Sequence, residues 1–305
     1  MNNKITFLML VFVLILVVIS STVTQPELAS AFNSYGNEDI NKVYPIEIPA
    51  NLSFSEEAVP LTQPDIKERL DKELLVNTYW QSNMLMMIKR ANRYFPQIEK
   101  ILAEEGIPDD FKYLAVIESG LENVRSPKGA KGFWQIMPTT GKEYGLEINS
   151  NVDERYNLEL STRVACKYLK KAKERLGSWT LAAASYNRGM SGTRRLLEQQ
   201  KVESYYDLLL GTETSRYVFR ILAVKDIISN PAKYGFIFEP KDLYTPVPVK
   251  KLELDTAISD LAQFSKDLGI NYKLLKIHNP WLIQNHLNNK SRKQYEILIP
   301  EADYY

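Results

Sequence analysis

From Pro64 to Asn230, apolar residues recur at the three-to-four spacing of helices, and proline starts and glycine stops divide the run. This pattern excludes a body built on sheets. Asp65–Leu75 carries helical spacing, and Thr78–Tyr94 includes Trp80, Leu85, Met86 and Ile88. Pro96 is expected to open a short helix that ends at Glu105, before Gly106. Thr139–Tyr144 stops at Gly145. Ser161 is expected to cap Thr162–Leu176, which Gly177 closes, and Ser178 to cap Trp179–Tyr186. Thr212 can cap Glu213–Ser229. The expected fold class is mainly α.

The texture changes after Pro240. Val247–Leu254 reads as a strand, Thr256–Leu268 as a helix closed by Gly269, Tyr272–His278 as a second short helix and Tyr295–Ile299 as a strand. This is a small α+β unit in βααβ order. Upstream of the helices, residues 32–63 are polar, contain Pro45, Pro49 and Pro60, and show no helical period, as expected of a linker or an extended arm. At the start, Asn2, Asn3 and Lys4 precede an uncharged apolar run from Ile5 to Ile19. That run is long for a signal core and shorter than the ~20 residues a spanning helix needs. Ala29-Ser30-Ala31 has the small-x-small form of a cleavage site, so residues 1–31 read as a signal peptide or an uncleaved anchor. No cysteine follows the run, which excludes a lipoprotein anchor. Either way the body is expected to be exported. The expected division is 1–31, 32–63, 64–239 and 240–305.

At 305 residues the chain can bury a sizeable core, and 45% apolar with 25% charged residues is ordinary for a globular protein. A net charge of +1 argues against a nucleic-acid partner, which would call for a visibly basic chain. The single cysteine, Cys166, rules out an internal disulfide and reads as a small residue of a helix or core. With only two histidines, His278 and His286, there is little from which to build a zinc site. Both lie beyond the helical body and read as structural or surface residues.

The stretch with chemistry in it runs from Pro108 to Pro138, PDDFKYLAVIESGLENVRSPKGAKGFWQIMP. Pro108, Asp109 and Asp110 make a helix start, and Gly120 a helix stop. Phe111, Leu114, Ala115 and Ile117 form the apolar face. Glu118 therefore falls in the last turn of an apolar helix, where backbone carbonyls carry partial negative charge and favour cations. A partly buried carboxylate there is expected to have a raised pKa, as a general acid requires. By spacing alone, a solvated glutamate at a fraying end is an equal reading. Glu122 sits outside the helix in polar surroundings and reads as solvated. Asp153 and Glu154 read as structural, pairing with Arg155 or with a helix end.

Three blocks occur in order: Glu118-Ser119 with Ser126, Gly129-Ala130-x-Gly132 and Gln135-Ile136-Met137-Pro138; Ala183-Ala184-Ser185-Tyr186-Asn187-x-Gly189; and Glu213-Thr214-x-x-Tyr217-Val218. Together they closely resemble the signature of the soluble-lytic-transglycosylase (SLT) family. Gly132-Phe133-Trp134-Gln135 and Val152-Asp153-Glu154-Arg155 look most like its membrane-bound lytic murein transglycosylase D branch, and the resemblance spans residues 64–235. It implies a lysozyme-like catalytic domain with a glycan cleft. After Pro240, Asp255-Thr256, Asn279-Pro280 and Ile297-Leu298-Ile299-Pro300 resemble a degenerate LysM module, although the glycines usual before Asp-Thr and before the last strand are missing. Glycan binding and simple packing are equally open for it.

The resemblance implies non-hydrolytic cleavage of the β-1,4 bond between N-acetylmuramic acid and N-acetylglucosamine in peptidoglycan. Glu118 would be the single acid and base, the product a 1,6-anhydro sugar, and no cofactor or metal would be needed. It also implies substrate contacts at Ser126, Gln135 and Met137, at Tyr186 and Asn187, and at Glu213 and Tyr217. Ser119 would hold the Glu118 carboxylate or merely end the helix. The implied partner is the glycan strand, with membrane anchoring possible through residues 5–19 and no nucleic acid. Two rivals remain: a goose-type lysozyme that activates water, with Asp153 as the nearest thing to a second acid, and a non-catalytic wall-binding protein.

Overall fold

The computed structural model describes residues 43–301, so the apolar run at 5–19 and the cleavage-like Ala29-Ser30-Ala31 lie outside the described residues. Ten α-helices and two small antiparallel sheets are found among the described residues. A two-residue hairpin, β1 (Ser53–Phe54) and β2 (Glu57–Ala58), comes first. The helical body follows as α1 (Pro64–Tyr79), α2 (Gln81–Glu104), α3 (Lys112–Ser119), α4 (Pro138–Glu143), α5 (Leu158–Leu176), α6 (Trp179–Arg188), α7 (Met190–Gln200) and α8 (Thr212–Ser229). The C-terminal module is β3 (Val249–Leu254), α9 (Leu261–Asp267), α10 (Tyr272–His278) and β4 (Tyr295–Pro300). Its strands pair from Val249↔Pro300 to Leu254↔Tyr295. The expected mainly α class with a βααβ tail is what the chain adopts.

Several boundaries depart from local expectation, each for a reason in the packing. Pro96 lies inside the 24-residue α2 and opens nothing. An interior proline forfeits one backbone hydrogen bond and costs ~3 kcal/mol. Ile88, Ala91 and Phe95 before it and Ile98, Ile101 and Leu102 after it are all buried in one core, and that continuous apolar face outweighs the loss. The helix from Leu158 begins earlier than expected because the side chain of Asn157, not Ser161, accepts from the Leu160 N–H. Gly211, not Thr212, is the cap residue of α8. Ser178 caps α6 as expected, through the Leu181 N–H.

From Ile46 onward the chain forms one unit. Helix α8 is its axis: Val218, Phe219, Ile221, Leu222, Ala223 and Val224 are all buried, and the helix packs on α1, α3 and α6. The short α3, with five successive buried residues from Tyr113 to Ile117, is thereby held at the centre with its C-terminal end at the surface. The polar segment before α1 also enters the core. Phe54 is fully buried edge-on to Phe111, with ring centroids 5.0 Å apart. The Glu57 carboxylate accepts from the Trp179 and Thr180 N–H groups at the start of α6. No helix among the described residues is long and apolar enough to cross a membrane.

Candidate active site

Helix α3 ends at Gly120, whose left-handed backbone (φ 63°) closes the helix by an N–H bond of 2.8 Å to the Val116 carbonyl. Glu118, in this last turn, is half-buried as a residue, with protein closing around its carboxyl. Desolvation pushes its pKa up to about 7, against the pull of the Tyr217 hydrogen bond and of the Arg220 charge. Glu213 adds a smaller upward push. The carboxyl can therefore hold or release a proton near neutrality.

Helix α8 supplies the groups that face it. The Tyr217 hydroxyl donates to Glu118 Oε1. Burial holds the Tyr217 phenol protonated, so it stays a donor. One turn on, Arg220 Nη2 donates to the Ile117 carbonyl at 2.8 Å, and Arg90 Nη1 on α2 donates to the Gly120 carbonyl at 3.2 Å. Two guanidinium groups thus neutralise the exposed carbonyls of the helix end that carries Glu118. Neither arginine was singled out by its sequence. The only available signal was Arg220's position three residues after Tyr217, on the same helical face.

The other expected residues divide into two sets. Tyr186, half-buried on α6, donates to the Trp134 carbonyl at 2.8 Å, and its phenol is kept protonated by burial and by the Glu118 charge. Asn187 donates to Glu213 at 2.9 Å and accepts from Thr214 Oγ1 at 2.8 Å, which joins the ends of α6 and α8. Ser119, Ser126 and Gln135, in contrast, spend bonds on the backbone. Ser119 Oγ donates to the Ala115 and Phe133 carbonyls, at 3.1 and 2.9 Å, and not to the Glu118 carboxylate. Ser126 Oγ accepts from the Ala130 N–H at 3.0 Å. Gln135, in the left-handed region at φ 46°, donates its amide N–H groups to Val124 and Gly132 carbonyls. Met137 is exposed at the start of α4.

Other carboxyls are committed elsewhere. Glu122 pairs with Arg90 at 2.7 Å. Asp153 is buried between Arg155 and Lys131, at 2.8 and 2.9 Å. Burial alone would raise its pKa, but these two cations outweigh burial and hold it ionised below the usual carboxylate range.

Residues 96–209 match the family model described as transglycosylase SLT domain, and residues 250–303 the soluble lytic transglycosylase C-terminal LysM-like domain. The chain is 28% identical over 242 residues to membrane-bound lytic murein transglycosylase D of Escherichia coli strain K12, and equally to that of strain O6:H1. The match covers 77% of this chain and 52% of each relative, so the chain spans about half the length of the curated relatives it matches. An X-ray structure of lytic transglycosylase Slt from Pseudomonas aeruginosa, an inactive mutant, aligns at 20% identity with a TM-score of 0.35, covering 49% of this chain and 26% of that one.

Proposed function

We propose that this chain, with its SLT domain and LysM-like module, is an exported lytic transglycosylase of the cell envelope. It would cleave the β-1,4 bond between N-acetylmuramic acid and N-acetylglucosamine and release 1,6-anhydromuramyl products. The observation that carries the reading is the Glu118 carboxyl in the last turn of α3, buried enough to titrate at about 7 and held by a tyrosine hydroxyl. Protonated Glu118 gives its proton to the glycosidic oxygen as the bond breaks. The substrate's N-acetyl group meets the positive charge that develops at C1. Glu118, now a carboxylate, takes the proton of the muramyl C6 hydroxyl, whose oxygen closes the anhydro ring on C1. One residue serves as acid and then as base, so a pKa near the working pH suits both steps. Tyr217 bonds to one carboxylate oxygen and leaves the other for the travelling proton.

The remaining residues support glycan binding. The Ser126 hydroxyl hydrogen and the Gln135 amide oxygen are the polar groups left to meet an acetamido or hydroxyl group of the sugar. Met137 offers an exposed apolar face. Tyr186, Asn187 and Glu213, tied to the loop and to one another, would meet the glycan beside them, and Ser119 fixes the end of α3 against the loop. Water-using hydrolysis would require a second carboxylate to hold the water, and Asp153 is locked between two cations.

The test is mass spectrometry of soluble products from purified peptidoglycan, with wild type beside Glu118→Gln. Muropeptides one water lighter than hydrolysis products, absent with Glu118→Gln, would support the reading. Products with full reducing ends would replace it with a lysozyme-type hydrolase. Retention on the insoluble wall without products would replace it with a binding protein.

A further inference from the structure

Residues 147–156 lie between the C-terminal module and the loop that carries Gly129 to Ile136. On the module side, Val152 is buried in the module's own cluster, with Leu261, Trp281, Leu282 and Leu287. The Asp153 N–H donates to the Trp281 carbonyl and the Ile283 N–H to the Asn151 carbonyl, both at 2.9 Å. The Asn151 side chain donates to the His286 carbonyl and accepts from the Asn288 N–H, both at 2.8 Å. Lys293 reaches both Glu147 and Glu154.

On the loop side, Asp153 grips Arg155 through two bonds, Nε to Oδ1 at 2.9 Å and Nη2 to Oδ2 at 2.8 Å. Arg155 Nη1 then donates to the carbonyls of Gly129 at 2.9 Å and Ile136 at 3.1 Å, one near each end of the loop. Lys131 is tied to Asp153 as well. Gly132 passes so close that a Cβ there would meet the Arg155 carbonyl oxygen at 2.0 Å. The loop's opposite side meets the candidate site, where the Phe133 carbonyl takes the Ser119 hydroxyl and the Trp134 carbonyl takes the Tyr186 hydroxyl. Asp153 thus has its backbone in the module's hydrogen bonds and its side chain in the loop's.

We propose that the C-terminal module serves as the support of this loop, with Asn151, Asp153 and Arg155 as positioning residues that set the loop over the cleft. Its segment 281–295 is committed to the catalytic body, so the module acts in cleavage itself and not only in attachment to a wall. Loosening the seam lets the loop lift and admits water to Glu118. The groups facing that carboxyl, Tyr217, Arg220 and Glu213 from α8 and Tyr186 from α6, stay where they are. Its pKa then moves down toward the ordinary 4.5, and the high-pH fall in rate begins at lower pH.

The activity part rests on the transglycosylase reading, so the test has two arms on the full chain. Asn151→Ala cuts the seam on the module side. Arg155→Lys keeps the charge but loses the fork that reaches two carbonyls at once. In hydrogen exchange, the amides of Lys131, Gly132 and Ile136 are expected to exchange faster in both variants while those of α1 do not change. In the activity arm, kcat/KM is expected to fall about tenfold or more, as small misplacements near a reacting centre do, with the high-pH limb displaced downward. Unchanged loop exchange in Asn151→Ala overturns the proposal whatever the activity. Uniformly faster exchange with a wild-type pH profile also overturns it, since the module would then only add stability. A wild type that makes no anhydro product defeats the functional reading, while the exchange arm still decides the support.

Discussion

Tyr217 and Glu118 are 99 positions apart in the chain and joined by one hydrogen bond, from the phenol to a carboxylate oxygen. The bond favours the ionised acid while burial favours the neutral one, and the balance leaves a pKa of about 7. Tyr217→Phe removes the downward pull. The high-pH limb of the activity profile is expected to move up, with turnover reduced roughly tenfold because the carboxylate loses its orienting donor. A pH–rate profile beside wild type checks both, and an unmoved limb would mean that the bond does not set the proton's affinity.

Glu118 also links pH to stability. Its folded pKa, about 7, lies above its ordinary 4.5, so the folded state holds a proton that the unfolded chain has released. Stability is fully present below 4.5 and declines as pH rises toward 7. Glu118→Gln is expected to flatten that decline by an amount on the order of 1–3 kcal/mol, discounted for the side chain's partial contact with water. Chemical denaturation of both proteins at pH values on either side of this window would show it. Parallel curves would place the carboxyl in ordinary solvent.

The two loop glycines differ in a testable way. Gly129 and Gly132 both have left-handed backbones, at φ 88° and 78°, but a Cβ on Gly129 meets nothing within 4 Å. Gly129→Ala is expected to cost only the backbone term, ~1 kcal/mol. Gly132→Ala must also displace the Arg155 carbonyl, and a loss of about 3 kcal/mol or more is expected. Thermal unfolding of the pair reads the difference directly, and equal losses would contradict the close approach.

Glu57 offers a prediction away from Glu118. Burial alone would raise its pKa, but hydrogen bonds from Thr180 and Trp179 outweigh burial and lower it. Its contribution is therefore present above the ordinary 4.5 and lost as pH falls through the lower folded value. Glu57→Gln is expected to destabilise by about 1 kcal/mol at neutral pH, as the loss of a helix-start acceptor does, with kcat/KM unchanged. Melting and rate measurements together separate this clamp from the site.

The sequence alone determined what depends on neighbours within about a turn. Helical spacing from Pro64 to Asn230 set the class, Gly120 set the end of α3, and Glu118 could be placed in that last turn. Ser178 could be recognised as a cap because its partner is three residues away. The same local view misjudged Pro96, since what keeps α2 whole is a core built by other helices. Only the tertiary structure decided which groups face the carboxyl: Tyr217 from a helix 99 positions on, and Arg90 and Arg220 on the carbonyls beside it. Only it showed Ser119 turned toward the Phe133 carbonyl, Asp153 locked between cations, and the C-terminal module bonded through that same residue to the loop that carries Gly129 to Ile136. Periodicity and capping are short-range consequences of backbone geometry. Partners brought from distant positions depend on how buried apolar faces pack, and no local pattern encodes that.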